Sequence, residues 1–478
     1  MLKIYNTLSK ELEEFKPIDA GKVKFYHCGP TVYSIQHIGN LRGMVMADLI
    51  RRTLTYLDYE VDFVRNYTDV GHLTGDNIGD ADTGEDRMEK GAKREGLSPD
   101  EIADKYIRIF EQDSASLNIL EPTHKPRATK YVEQMIAMVE ILLEKGFAYA
   151  TPKAIYFDVA KKDDYTKLSG QKLELNEAGA GTGDVSDPDK KHPFDFAVWF
   201  FRTGVHKNAL QYWPSPFTST EVENGAGFPG WHIECSAMAK ALLGETLDLH
   251  MGGIEHISIH HTNEIAQSES ANGVNFVNYW LHNEHLLVDG RKMAKSEGTG
   301  FAVSEIVEHG FKPMALRFFF LSAHYRSKQN FTWEALQGSA TALERLTSQL
   351  INMEMSVGQI APDFRREFVA QISNDFNIPG ALAVVWDLIK SPDVSSADKL
   401  ATVLDFDRVL GLNLADQIDK EQPLIEITPE LQEVLDEREQ ARLHKDWQLA
   451  DQLRDKLATE YGVSVKDTAA GQQLTRLN

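Results

Sequence analysis

The stretch KVKFYHCGPTVYSIQHIGNLRGMVMADLIRRTLTYLDYEVDFVRNYT, residues 22–68, decides the fold. It opens with a short β-type run that ends at Gly29-Pro30. His37-Ile38-Gly39-Asn40 follows, and LRGMVMADLIRRTLTYLDY then carries apolar residues at helical spacing. EVDFVRNYT reads as a second strand. Strand, loop, helix, strand is the βαβ unit of a nucleotide-binding parallel sheet.

Outward from this unit the texture changes several times. Residues 71–98, beginning GHLTGDNIGDADTGEDRMEKG, are polar and read as a long surface loop. Residues 99–118 and 128–146 read as amphipathic helices, with Gly146 closing the second. From 148 to 213 short strands and turns dominate, as expected of an insertion between two halves of the sheet. AGAGTG (178–183) reads as a surface turn, because it lacks the Lys-Ser/Thr ending of a phosphate-binding loop. The sheet half resumes with GWHIECSAMAKALLG, LDLHMGG and NYWLHNEHLLVDG. From 303 to 410 the pattern is helical, and a linker at IDKEQPLIEITP leads to a charged helical tail.

Bulk properties bound the problem. The 478 residues suggest three or four domains, and 42 % hydrophobic residues suffice for several packed cores. No run approaches the ~20 apolar residues that span a bilayer, and the N-terminus has no secretory pattern. We therefore expect a cytoplasmic protein without a membrane partner. The net charge of −22 argues against nonspecific nucleic-acid binding. It leaves local basic surfaces possible, since screening confines each charge to about 10 Å.

Three motifs carry chemistry. The HIGN tetrapeptide opens a helix whose N-terminus attracts phosphate, with Gly39 allowing close approach and His37 as a donor. Lys292-Met293-Ala294-Lys295-Ser296 offers two lysines as point charges for a pyrophosphate leaving group. The EGTG that follows would let the loop close. Each alone is also an ordinary surface pattern. The third group is GWHIECSAM with LHMGGIEHISIHHTNEIAQSES. His260 and Glu264 are four apart on a predicted helix and share one face. With Cys28 and Cys235, the only cysteines, they make a borderline-soft set suited to zinc. His250, His256 and His261 compete for the same role.

Taken together, HIGN and KMAKS resemble the paired signatures of class I aminoacyl-tRNA synthetases. FYHCGPTVYSIQHIGN, VRNYTDV, PGWHIECSAMA, HHTNEIAQSE, SAHYRSKQNFTWEAL and DFNIPGALAV resemble the cysteinyl-tRNA synthetase family along almost the whole chain. The tail REQARLHKDWQLADQLRDKL resembles that family's anticodon-binding region. The resemblance implies an α/β fold: a split Rossmann-like catalytic domain with an inserted α+β connective domain, a helical bundle and a small C-terminal anticodon-binding domain. The implied boundaries are 1–125 and 226–302 for the catalytic halves and 126–225 for the insertion. The bundle contacting the tRNA stem would span 303–415, and the anticodon-binding region 416–478.

The implied activity is ATP-dependent formation of cysteinyl-adenylate and transfer of cysteine to tRNA(Cys). The implied zinc ligands are Cys28, Cys235, His260 and Glu264, with zinc selecting the cysteine thiolate. His37, Gly39, Asn40, Lys292, Met293 and Lys295 match ATP-binding positions; His37, Asn40, Lys292 and Lys295 also match catalytic ones. Thr68, Trp231 and His250 match positions beside the amino acid. Mg2+ is expected with ATP, and a monomer is expected. The sequence departs from the family pattern at Asn40 and Ala294, in the loop after Val70 and in the long PSPFTSTEVENGAGF segment. Two alternatives share these features: a cysteine ligase of thiol-cofactor synthesis, which would lack the tail, and a non-catalytic RNA-binding relative, which would have damaged signatures.

Overall fold

The computed structural model describes residues 1–71, 73, 85–171, 189–293, 300–353, 357–421, 427–468 and 471–476. β1 spans Lys22–His27, α1 Ile38–Tyr56 and β2 Glu60–Arg65. The second half of the sheet domain contributes α2 (Trp231–Leu243), β3 (Leu247–Gly253), α3 (His260–Asn272) and β4 (Val277–Asn283). The four strands form one parallel sheet in the order β4-β3-β1-β2. α1 carries the chain from β1 to one side, and the second half returns on the other. Strand order therefore reverses between β1 and β3, and ligands bind outside the carboxyl ends of strands at such a point. The split α/β fold expected from the sequence is the observed one.

α1 is buried along almost its whole length, so its charged residues must be paired inside the protein. Arg42 donates to Gln329 Oε1 at 3.1 Å and to the carbonyls of Glu284, His324 and Ser327. Asp48 accepts from Arg52 Nε at 2.8 Å, Arg317 Nη2 at 2.7 Å and the Leu120 amide at 2.9 Å. This triad ties α1 to the helix Pro313–Leu321.

The insertion is a four-stranded antiparallel sheet in the order Ala148–Ala150, Ala154–Phe157, Phe196–Phe201, Gly227–Pro229. All six residues of Phe196–Phe201 are buried. The last strand runs through Gly230 directly into α2, so the insertion positions the start of that helix. One apolar core continues from Phe157 and Trp199 in the insertion to Tyr26, Cys28, Cys235 and Trp280 around the parallel sheet.

Three expectations need correction. Within the stretch expected to be loop, Arg87–Glu95 is a helix. Asp86 caps it by accepting from the Glu89 amide at 3.0 Å, and Gly96 ends it at φ 69°. The charged tail is not one helix around residues 438–457. Pro429–Leu443 and Trp447–Glu460 are separate helices. Lys445 turns at φ 61° between them, and Asp446 caps the second. The hairpin Val463–Thr468 and Gly471–Arg476 follows. GWHIECSAMAKALL, at the point where the sheet half resumes, supplies the helix α2 rather than a strand. AGAGTG lies outside the described residues.

The chain divides into two compact units: 1–340 with 361–391 and 408–412, and 341–360 with 392–407 and 413–478. Within the second, Leu431, Val434, Leu435, Leu453, Leu457, Val463 and Val465 form a small core. Arg438 is fully buried there and holds both Asp467 carboxylate oxygens at 2.9 Å. No helix among the described residues is long and apolar enough to cross a membrane.

Candidate functional site

Cys28 follows β1 at its carboxyl end. The next residue has to be small, because a Cβ at Gly29 would collide with the Asn66 carbonyl beyond β2. Gly29 instead donates its amide to Asn66 Oδ1 at 2.9 Å. α2 brings Cys235, β3 brings His250, and the first two turns of α3 bring His260 and Glu264. The donor atoms of Cys28, Cys235, His260 and Glu264 all lie within 4.8 Å of one another, and all four residues are buried. Tetrahedral zinc with these donors needs ligand-to-ligand separations of roughly 3.3–3.8 Å. Small side-chain shifts satisfy that. A second set, Cys28, His250, His261 and Glu264, meets the same limit and shares two members with the first.

Each donor has further partners. His260 Nε2 approaches Glu264 Oε1 to 2.7 Å, yet the pair lacks hydrogen-bond geometry. On its other side His260 Nδ1 lies 3.0 Å from His232 Nδ1. Glu264 Oε2 lies 2.6 Å from His250 Nε2. Partners of this kind fix the ring orientation of metal-binding histidines.

The electrostatics point the same way. Burial and the Cys235 neighbour push the Cys28 thiol well up, whereas a hydrogen bond from Cys28 pulls Cys235 down to about 6. Burial opposes ionisation of Glu264, but His250 and His260 beside it hold its carboxyl far below the usual range. Burial likewise opposes charge on His260, and Glu264 with Cys235 raises it to about 10. Two buried anions thus gather one protonated imidazole. A divalent cation would displace that proton and compensate the same charges. The residues fit a metal of the zinc class.

Of the three residues expected beside the amino acid, Trp231 and His250 contact this cluster directly, and Thr68 is linked to it through Asn66. Trp231 stacks on His260 with ring centroids 4.3 Å apart. His250 stacks on Trp280 at 4.8 Å. Thr68 is buried and accepts from Asn66 Nδ2 at 3.2 Å. Its loop is fixed by Asp69, which takes Arg127 Nε, the Thr129 amide and Thr129 Oγ1 at 2.8–2.9 Å.

His37 is the N-cap of α1, and its Nδ1 accepts from the Asn40 amide at 3.1 Å. The ring proton therefore sits on Nε2. Asn40 Nδ2 donates to Gln36 Oε1 at 2.5 Å. A Cβ at Gly39 would lie 3.3 Å from Met293 Sδ, and the Ile38 amide donates to Phe301 O at 2.8 Å. Met293 in the second signature and Phe301 beyond it thus both lie against the first. The Lys292 backbone pairs with Leu287, but its side chain lies outside the described residues, as do Ala294, Lys295 and Ser296. Residues 72 and 74–84, which include most of the departure after Val70, also lie outside them.

Sequence reasoning missed His232, Asn66 and His282. Nothing in their spacing marks them; only the density of histidines near residue 260 hints at a supporting layer. In the second unit Trp447 is 57 % exposed, so it is not a core residue, and Arg442 lies over its ring at 5.8 Å.

The parallel sheet, its insertion and the paired signatures define a class I aminoacyl-tRNA synthetase. The sequence model described as the class I (C) tRNA synthetase catalytic domain matches residues 14–341. The cysteinyl-tRNA ligase anticodon binding domain matches 425–474. The chain belongs to the cysteine–tRNA ligase family. It is 44 % identical over 476 residues to cysteine–tRNA ligase 1 of Burkholderia lata, covering 99 % of this chain and 96 % of that one. It is 38 % identical to cysteine–tRNA ligase of Treponema denticola, covering 98 % of each. Solved structures are similar in fold at low identity. Mycobacterium tuberculosis methionyl-tRNA synthetase with methionyl-adenylate has a TM-score of 0.54 at 15 % identity, covering 87 % and 94 % of the two chains. The LeuRS–tRNA–LeuAMS complex of Agrobacterium radiobacter has 0.57 at 12 %, covering 85 % and 86 %.

Proposed function

We propose that this chain activates cysteine with ATP and transfers it to the 3′ end of tRNA(Cys). The observation that carries the reading is the buried cluster of Cys28, Cys235, His260 and Glu264 at the switch point of the sheet, in a chain of this family. We assign these four as zinc ligands. When bound, zinc supplies a Lewis acid that prefers the sulfur of cysteine to the oxygen of serine.

The chain's own residues do the rest. Trp231 and Thr68 line the approach to the cluster, and His250 orients Glu264. They hold the amino acid with its carboxylate toward α1. His37 presents Nε2–H to the α-phosphate, where charge develops as the carboxylate attacks. Asn40 supplies amide donors but no positive charge at the same helix start. Lys292 and Lys295 neutralise the departing pyrophosphate, with Met293 holding their loop against Gly39, and Mg2+ accompanies ATP. Positioning and charge stabilisation suffice for this displacement, without a strong base.

Residues 1–125 and 226–302 form the catalytic halves in this reading. Residues 126–225 are the connective insertion, 303–415 the tRNA-stem bundle and 416–478 the anticodon-binding region. Trp447, with Arg442 over its ring, offers a face on which an unpaired base stacks. We place the enzyme in the cytoplasm as a monomer.

The test is aminoacylation of a tRNA(Cys) transcript by the zinc-loaded full chain. Cysteine esterified to the transcript is the expected product. Cysteine activation without tRNA charging would instead favour a cysteine ligase with another acceptor.

A further inference from the structure

Asn40, the fourth residue of the first signature, departs from the family pattern, and a buried glutamine just ahead of the signature sets how its side chain is turned. Gln36 Nε2 donates to Thr31 O at 3.1 Å and to Ser34 O at 3.2 Å. Carbonyl oxygens only accept, so this end of the side chain is the nitrogen and the other end is Oε1. Oε1 only accepts as well. The atom of Asn40 that lies 2.5 Å from it is therefore Nδ2. Two backbone carbonyls thus orient one amide, and that amide orients the next. The same loop borders the amino-acid side of the site. The Val32 amide donates to Thr68 O, and the Thr68 amide to Pro30 O, both at 3.1 Å.

Asn40 is exposed in the first turn of α1, and its backbone amide is taken by His37. Among the described residues no group donates to its Oδ1. The side chain therefore offers a ligand one Nδ2 hydrogen and the lone pairs of Oδ1. A phosphate oxygen only accepts, so it uses half of that set. A hydroxyl donates and accepts, so it uses both. Position along the helix separates the groups of ATP. Asn40 lies three residues past His37, about 4.5 Å along α1 from the residue that meets the α-phosphate. The ribose adjoins the α-phosphate in ATP, and the adenine lies beyond the ribose.

We propose that Gln36 is a positioning residue of the nucleotide site: it holds the Asn40 amide so that Oδ1 and one Nδ2 hydrogen meet a ribose hydroxyl of ATP. The proposal rests on the reading of HIGN as part of an ATP site. A neutral imidazole at position 40 would carry its donor and its acceptor on different sides of the ring. The amide carries them on one group, held from behind by a residue outside the signature.

The test is cysteine-dependent ATP–pyrophosphate exchange by the full chain with ATP, 2′-deoxyATP and 3′-deoxyATP. In the wild type, loss of the hydroxyl that Asn40 holds should lower kcat/KM for the nucleotide about 3- to 10-fold, the range of one hydrogen bond. Gln36→Leu and Asn40→Ala should each lower kcat/KM for ATP by a similar factor. Each should then accept the same analogue with less than about a twofold further loss, because the partner of that hydroxyl is already gone. A general loosening of the site would lower all three nucleotides together and leave their ratios unchanged. Gln36→Met, closer in shape to glutamine, is the second variant if Gln36→Leu does not fold. If the wild type treats the three nucleotides alike, or the variants keep its ratios for both analogues, the proposal is wrong and the ATP-site reading stands. If Asn40→Ala loses the discrimination while both Gln36 variants keep it, Gln36 has no positioning role and the proposal is likewise wrong. If the wild type shows no cysteine-dependent exchange, the ATP-site reading fails and the proposal with it.

Discussion

His37 has two tasks, and they can be separated. It caps α1 through Nδ1, and in the proposed mechanism its Nε2–H serves the nucleotide. Asn is as good an N-cap as any residue but has no imidazole. His37→Asn should therefore leave the unfolding free energy within about 0.5 kcal/mol and lower the rate of adenylate formation by about 10²- to 10³-fold. Denaturant titration and ATP–pyrophosphate exchange measure the two. Asp86 has the opposite character. Burial raises its carboxyl to about 6 in spite of the Glu89 amide. The sign follows from proton linkage: a group that holds its proton more tightly when folded gives stability present below pH ~4 and lost as pH rises to about 6. Asp86→Asn keeps the cap and removes the charge. It should gain up to about 3 kcal/mol over wild type above pH 6 and nothing near pH 3, in unfolding measured across that range. At this scale the candidate metal donors were legible, because thiol, imidazole and carboxylate are few and His260 and Glu264 share a helix face. Their supporting partners were not: His232, Asn66 and His282 act through distances that no local spacing encodes.

Among the elements, α1 depends on buried charge. Asp48 answers two arginines, and burial, though it opposes ionisation, is outweighed by Arg317 and Arg52, which hold its carboxyl below the usual range. Breaking such a set leaves buried cations uncompensated, at about 3–5 kcal/mol. Asp48→Asn should lower stability by that amount in urea unfolding while leaving zinc content unchanged. The stability due to Asp48 should be present above its unfolded pKa and lost as pH falls below it. βαβ order and the insertion were readable because apolar periodicity is strong from residue 22 to 68 and FAVWFF is nearly continuous. The helix at Arg87–Glu95 was hidden because it buries only Met88, Gly91 and Ala92, although its Asp86 and Gly96 boundaries were written in the sequence. The break at Lys445 was hidden for another reason: a non-glycine residue takes the left-handed turn.

For the molecule as a whole, activation and transfer draw on different parts of the chain. Trp447 lies in the segment matched by the anticodon-binding family and is open to a stacking base. Stacking contributes about 1–3 kcal/mol per base. Trp447→Ala should lower kcat/KM for tRNA(Cys) by about 5- to 150-fold and leave cysteine-dependent exchange unchanged. The tRNA half of the function was legible through the resemblance of the tail to the family's anticodon-binding region, which survives an error in helix borders. The central claim joins ATP, cysteine and the buried donor set. Its most direct test is ATP–pyrophosphate exchange by the zinc-loaded full chain with cysteine or serine, before and after chelation. The account predicts exchange with cysteine, a rate with serine lower by roughly 10⁴-fold, and loss of the cysteine signal when the metal is removed. Equal exchange with serine, or cysteine exchange that survives complete removal of the metal, would contradict it.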